Sequence, residues 1–199
     1  AFLEAMQEEQ VTIDGVTRPL PQPFFMIATQ NPVSFAGTFP LPEAELDRFG
    51  LSFSIGYPSE EEEFGILSLR KETTKAGLSK NIQPVTNGTD IAKARELIAS
   101  VKVVDDVMRY IIDIVRLTRQ SDTIRLGASP RASVFLQRAS QAHAAFEGRN
   151  FVMPEDVIAS APSVLSHRIL LSSKARLDQL NETDCIVQLC SRIPKPAGL

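Results

Sequence analysis

Apolar residues recur at helical spacing at the very start of the chain. Phe2, Leu3 and Met6 share one face of a predicted helix. No Ser, Thr, Asp or Asn stands before them as a cap. We therefore expect the sequence to open inside a helix, with part of a parent protein lying upstream of Ala1.

The next pattern is typical of a small hairpin. Val11 and Ile13 alternate with polar neighbours, and the alternation resumes at Val16. Between them lies Asp14-Gly15, a pair that tolerates the positive φ angles of a two-residue turn. The sequence predicts two antiparallel strands of about three residues each.

A continuous apolar run at 24–28 predicts a strand of a larger sheet. Because the run FFMIA does not alternate, it favours a strand buried on both faces of a parallel sheet. Polarity returns at Thr29, and Asn31 precedes a proline that keeps its backbone out of the helical region. Asn31 would then lie at the carboxyl end of the strand, where open α/β sheets bind ligands.

A short helical turn, PEAELDRF, precedes a second predicted strand. Leu51, Phe53 and Ile55 alternate with serines, which indicates a strand with one apolar face. We therefore interpret residues 1–58 as the C-terminal part of an α/β core, made of parallel-sheet strands and a β-hairpin.

From about residue 75 onward the pattern is wholly helical. A capping box of Ser59 and Glu62 opens a helix before that point. Pro154 begins a helix that we expect Pro162 to interrupt, and Asn181 can cap the last one. Other helices are marked by apolar positions at helical spacing: Ile91, Ala94 and Ile98; Val107, Ile111, Ile114 and Thr118; Phe135, Ala139, Ala142 and Phe146. Residues 59–199 are therefore predicted to form a linker and an all-α domain.

Composition narrows the functional class only slightly. The 199 residues are 43% apolar and 23% charged, as in soluble globular proteins. No run approaches the roughly 18 apolar residues of a membrane span, and the acidic start AFLEAMQEEQ does not resemble a signal peptide. We expect a cytoplasmic protein without a membrane partner. The net charge of −3, with no basic stripe among aromatic residues, argues against nucleic-acid binding.

The few cysteines and histidines do not predict a metal site. Cys185 and Cys190 lie in one helical stretch without a CxxC or Cys/His cluster, which favours reduced thiols over a disulfide or metal role. His143 and His167 are too scattered for zinc, and we interpret both as structural or surface residues.

Three residues are candidates for chemistry. Asn31 has the simple alternative of a turn former before proline, and Arg48 has the alternative of an ion pair with Asp47. Arg131 lies in GASPRA, where Ser129 can cap a helix and Arg131 falls in its first turn. A cation there opposes the helix dipole by roughly 0.3–1 kcal/mol, and an anionic ligand nearby would reverse the sign.

Several motifs together resemble a known family. FLEAMQE, VTIDG, FFMIATQNP, GTFPLPEAELDRF and GASPRA occur in this order. They resemble the MoxR branch of the AAA+ ATPases, and the related ATPase subunit of magnesium chelatase stays open as an alternative. The resemblance spans nearly the whole chain, and the combination of ATQNP with LPEAELDRF is its most specific part. It implies a partial AAA+ core followed by a helical lid domain.

The resemblance assigns a role to each candidate. Asn31 matches sensor 1, which orients the attacking water against the γ-phosphate of ATP. Arg48 matches the arginine finger, which reaches the nucleotide site of a neighbouring subunit. Arg131 matches sensor 2, a lid arginine that contacts the γ-phosphate. The hairpin around Asp14-Gly15 resembles the pre-sensor hairpin that points toward a pore or substrate.

The same resemblance implies the wider setting. A full-length parent would use ATP and Mg²⁺, form a homo-oligomeric, hexameric ring, and remodel or mature a protein substrate or companion protein. This chain contains no G-x-x-x-x-G-K-[ST] loop, so we expect it to bind neither nucleotide nor metal tightly by itself. The alternative from another functional class is a non-catalytic module whose helical domain binds a protein partner.

Overall fold

The computed structural model describes residues 2–30, 41–72 and 83–196, with side chains at 4–30, 41–68 and 83–196. The first elements are helix α1 (Phe2–Glu8), strands β1 (Gln10–Ile13) and β2 (Val16–Pro19), and helices α2 (Glu43–Leu46) and α3 (Glu60–Glu72). The later elements are α4 (Gly88–Ser100), α5 (Asp105–Thr118), β3 (Ile124–Leu126), α6 (Pro130–Phe146), α7 (Pro154–Leu165), a 3₁₀ turn (Ser166–Arg168), β4 (Leu170–Leu171), α8 (Ser173–Leu177) and α9 (Glu182–Arg192). In this part of the chain, no helix is long and apolar enough to cross a membrane.

The predicted hairpin is confirmed. Strands β1 and β2 pair antiparallel. At the tip, Asp14 and Gly15 have φ angles of 51° and 76°, which a two-residue turn with both residues in the left-handed region requires. The backbone N–H of Thr12 donates to the carboxylate of Glu4 at 3.2 Å, so the hairpin is fixed against α1.

The two strands predicted for a larger sheet are wrong as paired elements. Residues 24–30 and 51–58 form no strand, and Phe53 and Ile55 are 80% and 89% exposed. A strand forms where a neighbour completes its backbone hydrogen bonds. Within the described ranges the strand pairs are β1–β2 and β3–β4. Neither segment pairs with a strand among the described residues, so the apolar pattern alone was not sufficient to predict a strand.

The core lies among α5, α6, α7 and α9, and the predicted helical domain is confirmed. The buried face of α5 has the spacing of an amphipathic helix: Val107, Tyr110, Ile111, Ile114, Val115 and Thr118. It belongs to one buried cluster that includes Leu136 of α6, Leu165 of α7 and Ile186 of α9. Each such apolar side chain stabilises the fold by roughly 1.5–3 kcal/mol.

Two local features of the helical part differ from expectation. Strands β3 and β4 pair antiparallel where the sequence predicted helices alone. Helix α7 runs through Pro162 to Leu165, so the predicted interruption is wrong. A proline inside a helix costs about 3 kcal/mol, but its neighbours Ala161 and Val164 have no exposed surface. Their packing holds the helix together despite the missing hydrogen bond.

The helix caps follow the sequence prediction at two sites. The Ser59 N–H donates to the Glu62 carboxylate at 2.8 Å, and the Glu62 N–H donates to the Ser59 hydroxyl at 3.3 Å. The side chain of Asn181 accepts the Asp184 N–H at 2.8 Å and caps α9. Both caps are confirmed.

Both cysteines are buried free thiols of α9. Burial raises the pKa of the Cys190 thiol to about 11. Since the thiolate is the reactive form, Cys190 acts as an apolar packing residue.

A buried carboxylate joins α6 to α7. Asp156 has no exposed surface and accepts hydrogen bonds from His143 Nδ1 at 2.8 Å, and from Arg149 Nη1 and the Met153 N–H at 2.7 Å each. Burial acts to raise the pKa of Asp156, but these hydrogen bonds outweigh it and hold the pKa below its ordinary value. His143 therefore has a structural contact with this carboxylate.

Replacing Asp156 with alanine should lower the free energy of unfolding by about 3–5 kcal/mol, because it removes a buried carboxylate that accepts several hydrogen bonds, each worth about 1.5–3 kcal/mol when one partner is charged. Denaturant unfolding of the 199-residue chain, followed by far-UV circular dichroism, measures the loss. The matched control is Glu155→Ala, which removes an exposed ion pair with Lys195 and should cost under about 1 kcal/mol. Equal losses in the two variants would contradict a special role for Asp156.

Candidate functional site

The structure describes two of the three predicted site residues. Asn31 lies outside the described residues. Arg48 follows the end of α2, and Arg131 is exposed in the first turn of α6. The chain segments that carry these two arginines meet at Asp47.

The carboxylate of Asp47 joins the end of α2 to the start of α6. Its Oδ2 accepts the Ser129 hydroxyl at 2.7 Å, and its Oδ1 accepts Arg168 Nε at 3.2 Å. The ion pair of Asp47 in the described structure is therefore with Arg168, not with the neighbouring Arg48. Ser129 occupies the N-cap position of α6 without a side-chain cap hydrogen bond. Its predicted capping role is wrong, because its hydroxyl is turned toward Asp47.

Arg168 binds the segment after α2 with its whole guanidinium group. Its side chain has no exposed surface, and its Cζ lies 4.8 Å from the centre of the Phe135 ring. An arginine has five N–H donors, and in Arg168 each of them has an acceptor. The five acceptors are Oδ1 of Asp47 and the carbonyl oxygens of Asp47, Phe49, Gly50 and Val164.

His167 adds another contact to the same segment. Its Nε2 lies 3.1 Å from the carbonyl oxygen of Phe49, which can only accept, so Nε2 carries the proton. Its Nδ1 is buried and has no hydrogen-bond partner in the described part of the chain. Burial lowers the pKa of His167, and the positive charge of Arg168 lowers it further. A neutral imidazole fits these surroundings.

The hydrogen bonding of Arg48 differs from that of Arg168. Its Nε and Nη1 atoms are buried, yet neither has a hydrogen-bond partner among the residues that the structure describes. Buried polar atoms are paired in the great majority of cases, so an exception of this kind requires an explanation. A guanidinium whose donors have no partner among the described residues is suited to bind a phosphate or carboxylate.

Arg131 brings a second cation to the same region. The pKa of Arg168 lies below its ordinary value mainly because the side chain is buried. Asp47 acts to raise this pKa, and the positive charge of Arg131 acts to lower it. Asp47 also places a negative charge near the start of α6, where Arg131 alone would oppose the helix dipole. The predicted electrostatic conflict at Arg131 is therefore partly offset within the chain.

Sequence reasoning missed Arg168, and it treated Asp47 and Ser129 only through local alternatives. A signal for Arg168 was present, since it is the one arginine or lysine in the mostly apolar run VLSHRILL. An arginine in such a run has to be paired if it is buried. Its partners at 47–50 lie more than 110 residues away in sequence, and no local pattern names them.

Comparisons with known proteins match two regions of the chain. The profile described as "ATPase family associated with various cellular activities (AAA)" matches residues 1–51, and the profile described as "AAA lid domain" matches residues 116–188. YeaC of Bacillus subtilis strain 168 is 40% identical over 98% of this chain and 60% of its own length. The chaperone MoxR1 of Mycobacterium tuberculosis is 35% identical over 98% of this chain and 53% of its own length.

A solved structure gives the same result. A crystal structure of a Cytophaga hutchinsonii protein assigned as an ATPase covers 98% of this chain with a TM-score of 0.85 and 33% identity. The chain belongs to the MoxR branch of the AAA+ ATPases. It spans 61% of that solved chain and 60% of YeaC. The fold predicted from its motifs, a partial AAA+ core followed by a helical lid, is confirmed.

In this MoxR-type chain, the Arg168 contacts join the two matched regions. Arg48 and its segment belong to the AAA-matched part, whereas Arg168 belongs to the lid-matched part. A backbone hydrogen bond from the Ser52 N–H to the Ser163 carbonyl oxygen, at 2.9 Å, adds to the same junction.

The imidazole of His167 should stay neutral, with its proton on Nε2, at the pH of about 6.5 where an ordinary histidine is half protonated. The unfolded chain takes up the second proton, which charges the ring, more readily than the folded chain does. The stability that His167 contributes should therefore fall as the pH drops below about 6.5. Long-range ¹H–¹⁵N NMR of the two histidines across the titration measures both tautomer and pKa, with His143→Gln to assign the signals. An Nδ1–H tautomer, or a midpoint above 6.5, would contradict the assignment.

Proposed function

We propose that this chain contributes three side chains to ATP hydrolysis in a homo-oligomeric ring of MoxR type. Arg48 acts as the arginine finger on the nucleotide of a neighbouring subunit, Arg131 acts as sensor 2, and Asn31 acts as sensor 1. The ring uses this energy to remodel or mature a protein substrate or companion. The observation that supports the proposal most concerns Arg48, which lies on a segment held in place by Arg168: its buried Nε and Nη1 atoms have no hydrogen-bond partner among the described residues.

The chemistry of phosphoryl transfer explains why such a guanidinium is useful. Negative charge spreads over the γ-phosphate oxygens in the transition state, and fixed positive charge stabilises it. An arginine finger supplies a rate factor of about 10³–10⁵. That factor corresponds to about 4–7 kcal/mol of activation free energy. Within the described part of the chain, no hydrogen bond of Nε or Nη1 has to break before these atoms of Arg48 bind phosphate oxygens.

The remaining roles follow from position. Arg131 is exposed at the start of α6 and can contact a phosphate group that approaches this helix terminus. Asn31 carries an amide that can orient the attacking water. Within the described residues, no group of three or more His, Cys, Asp or Glu could hold a metal ion. The role proposed for the chain is direct contact with phosphate oxygens and water.

We also propose a domain division for the chain. We infer that residues 1–58 form the C-terminal part of the nucleotide-binding core and that residues 59–199 form the linker and lid. Phe25 and Ile27, each 78% exposed, lie on a segment with the composition of a buried strand. In a complete AAA+ core these side chains would be covered by neighbouring strands and helices.

Replacing Arg48 with alanine in the full-length ATPase should lower ATP turnover by about 10³–10⁵-fold, because the transition state loses its neighbouring cation. Nucleotide affinity and thermal stability should change little, since Nε and Nη1 of Arg48 form no hydrogen bond in the described structure. Steady-state phosphate release, nucleotide titration and thermal unfolding measure these three quantities. The matched control is Arg138→Ala at an exposed position of α6, and unchanged turnover in Arg48→Ala would reject the arginine-finger role.

The 199-residue chain alone should show no micromolar affinity for ATP, because it lacks the G-x-x-x-x-G-K-[ST] loop that holds the β- and γ-phosphates. Isothermal titration with ATP and Mg²⁺ tests this expectation. The full-length ATPase, titrated in the same buffer, is the positive control. A dissociation constant in the micromolar range for the isolated chain would show that its own residues suffice for nucleotide binding.

A further inference from the structure

The carboxylate of Asp47, at the end of α2, accepts one hydrogen bond from the start of α6 and one from the 3₁₀ turn. Asp47 accepts the Ser129 hydroxyl from α6 and Arg168 Nε from the 3₁₀ turn. Arg48 follows Asp47, and Arg131 lies two residues after Ser129. Both cations proposed to contact phosphate therefore lie within two residues of this network in sequence.

We propose that Arg168 is the positioning residue for Arg48, and that it acts through the Arg168–Asp47–Ser129 network. This inference rests on the function proposed above. It assigns no contact with ATP to Arg168. Arg168 acts through the backbone at 47–50 on which Arg48 is carried.

The hydrogen bonds of Arg168 support a positioning role. Three of its five acceptors are the carbonyl oxygens of Asp47, Phe49 and Gly50, which lie on both sides of Arg48 in sequence. Backbone carbonyl groups on either side of a residue define the direction of its side chain. A fully buried guanidinium with every donor occupied cannot rotate away without losing several of these bonds.

The planar fork of arginine is a specific requirement here. Lysine keeps the positive charge but has three donors on one nitrogen, so it can satisfy at most three of the five acceptors. If charge compensation of Asp47 were the only role, lysine would replace Arg168 without loss. If positioning is the role, Arg168→Lys disturbs Arg48 while the charge of the region is unchanged.

Turnover in the full-length ATPase separates these possibilities. Arg168→Lys should lower kcat on the order of 10²-fold, the cost of a reacting group displaced by about 1 Å. The KM for ATP should stay within about twofold, since Arg168 makes no contact with nucleotide. The matched control is Arg176→Lys, which changes an exposed arginine of α8.

A double mutant decides whether Arg168 acts through Arg48. If it does, Arg48→Ala combined with Arg168→Lys should have the same residual kcat as Arg48→Ala alone. A further decrease in the double mutant, or a normal kcat in Arg168→Lys, overturns the inference while leaving the arginine finger intact. A normal kcat in Arg48→Ala instead rejects the proposed function itself.

Ser129→Ala provides a milder second variant, because it removes only the Ser129–Asp47 hydrogen bond. It should lower kcat by about tenfold, as expected for one hydrogen bond to a charged group, and it should add nothing in the Arg48→Ala background. If Arg168→Lys does not fold, this result decides, and an unchanged kcat in Ser129→Ala rejects a role of the network in positioning Arg48.

Amide hydrogen exchange on the 199-residue chain gives a readout independent of activity. The N–H groups of Arg48 and Phe49 are bonded to carbonyls of α2. Arg168→Lys should speed their exchange by at least about tenfold, because the segment loses its tether. Exchange as slow as in the Arg176→Lys control would show that Arg168 does not hold this segment.

Discussion

The structure depends most on a buried cation whose every donor is used. Arg168 lies under Phe135 and binds one carboxylate and four carbonyl oxygens, so the cost of removing its charge from water is offset by a full set of hydrogen bonds. Close by, Arg48 has two buried nitrogen atoms without partners among the described residues. The same side-chain type therefore serves two purposes, and the number of occupied donors distinguishes them. One arginine belongs to the framework, and we propose that the other binds a ligand.

Features that depend on neighbouring residues were predictable from the sequence. The hairpin at Asp14-Gly15 needs two residues that tolerate positive φ, and the capping box of Ser59 and Glu62 needs only a spacing of three. The core face of α5 also followed, because a helix brings residues three and four apart together. Family motifs then supplied Arg48 and Arg131 as candidates, although no local pattern describes their surroundings.

Features that depend on distant residues were not predictable. A strand is defined by its neighbour, so the apolar runs at 24–28 and 51–55 did not reveal whether they would pair. Pro162 looked like a helix end because its packing against other helices is invisible in sequence. Ser129 looked like a cap because Asp47, its actual partner, lies 82 residues earlier. Burial and long-range pairing thus decided the places where local rules failed.

The distribution of tyrosines has an experimental consequence. The chain has two tyrosines and no tryptophan. Tyr57 is 97% exposed on the extended segment after the Arg48 region, whereas Tyr110 is 3% exposed inside the helical core. Each tyrosine thus reports on a different part of the molecule. Binding of another subunit over the extended segment should alter the near-ultraviolet signal of Tyr57 and leave that of Tyr110 unchanged. Assembly and unfolding of the core can therefore be followed separately without an introduced label.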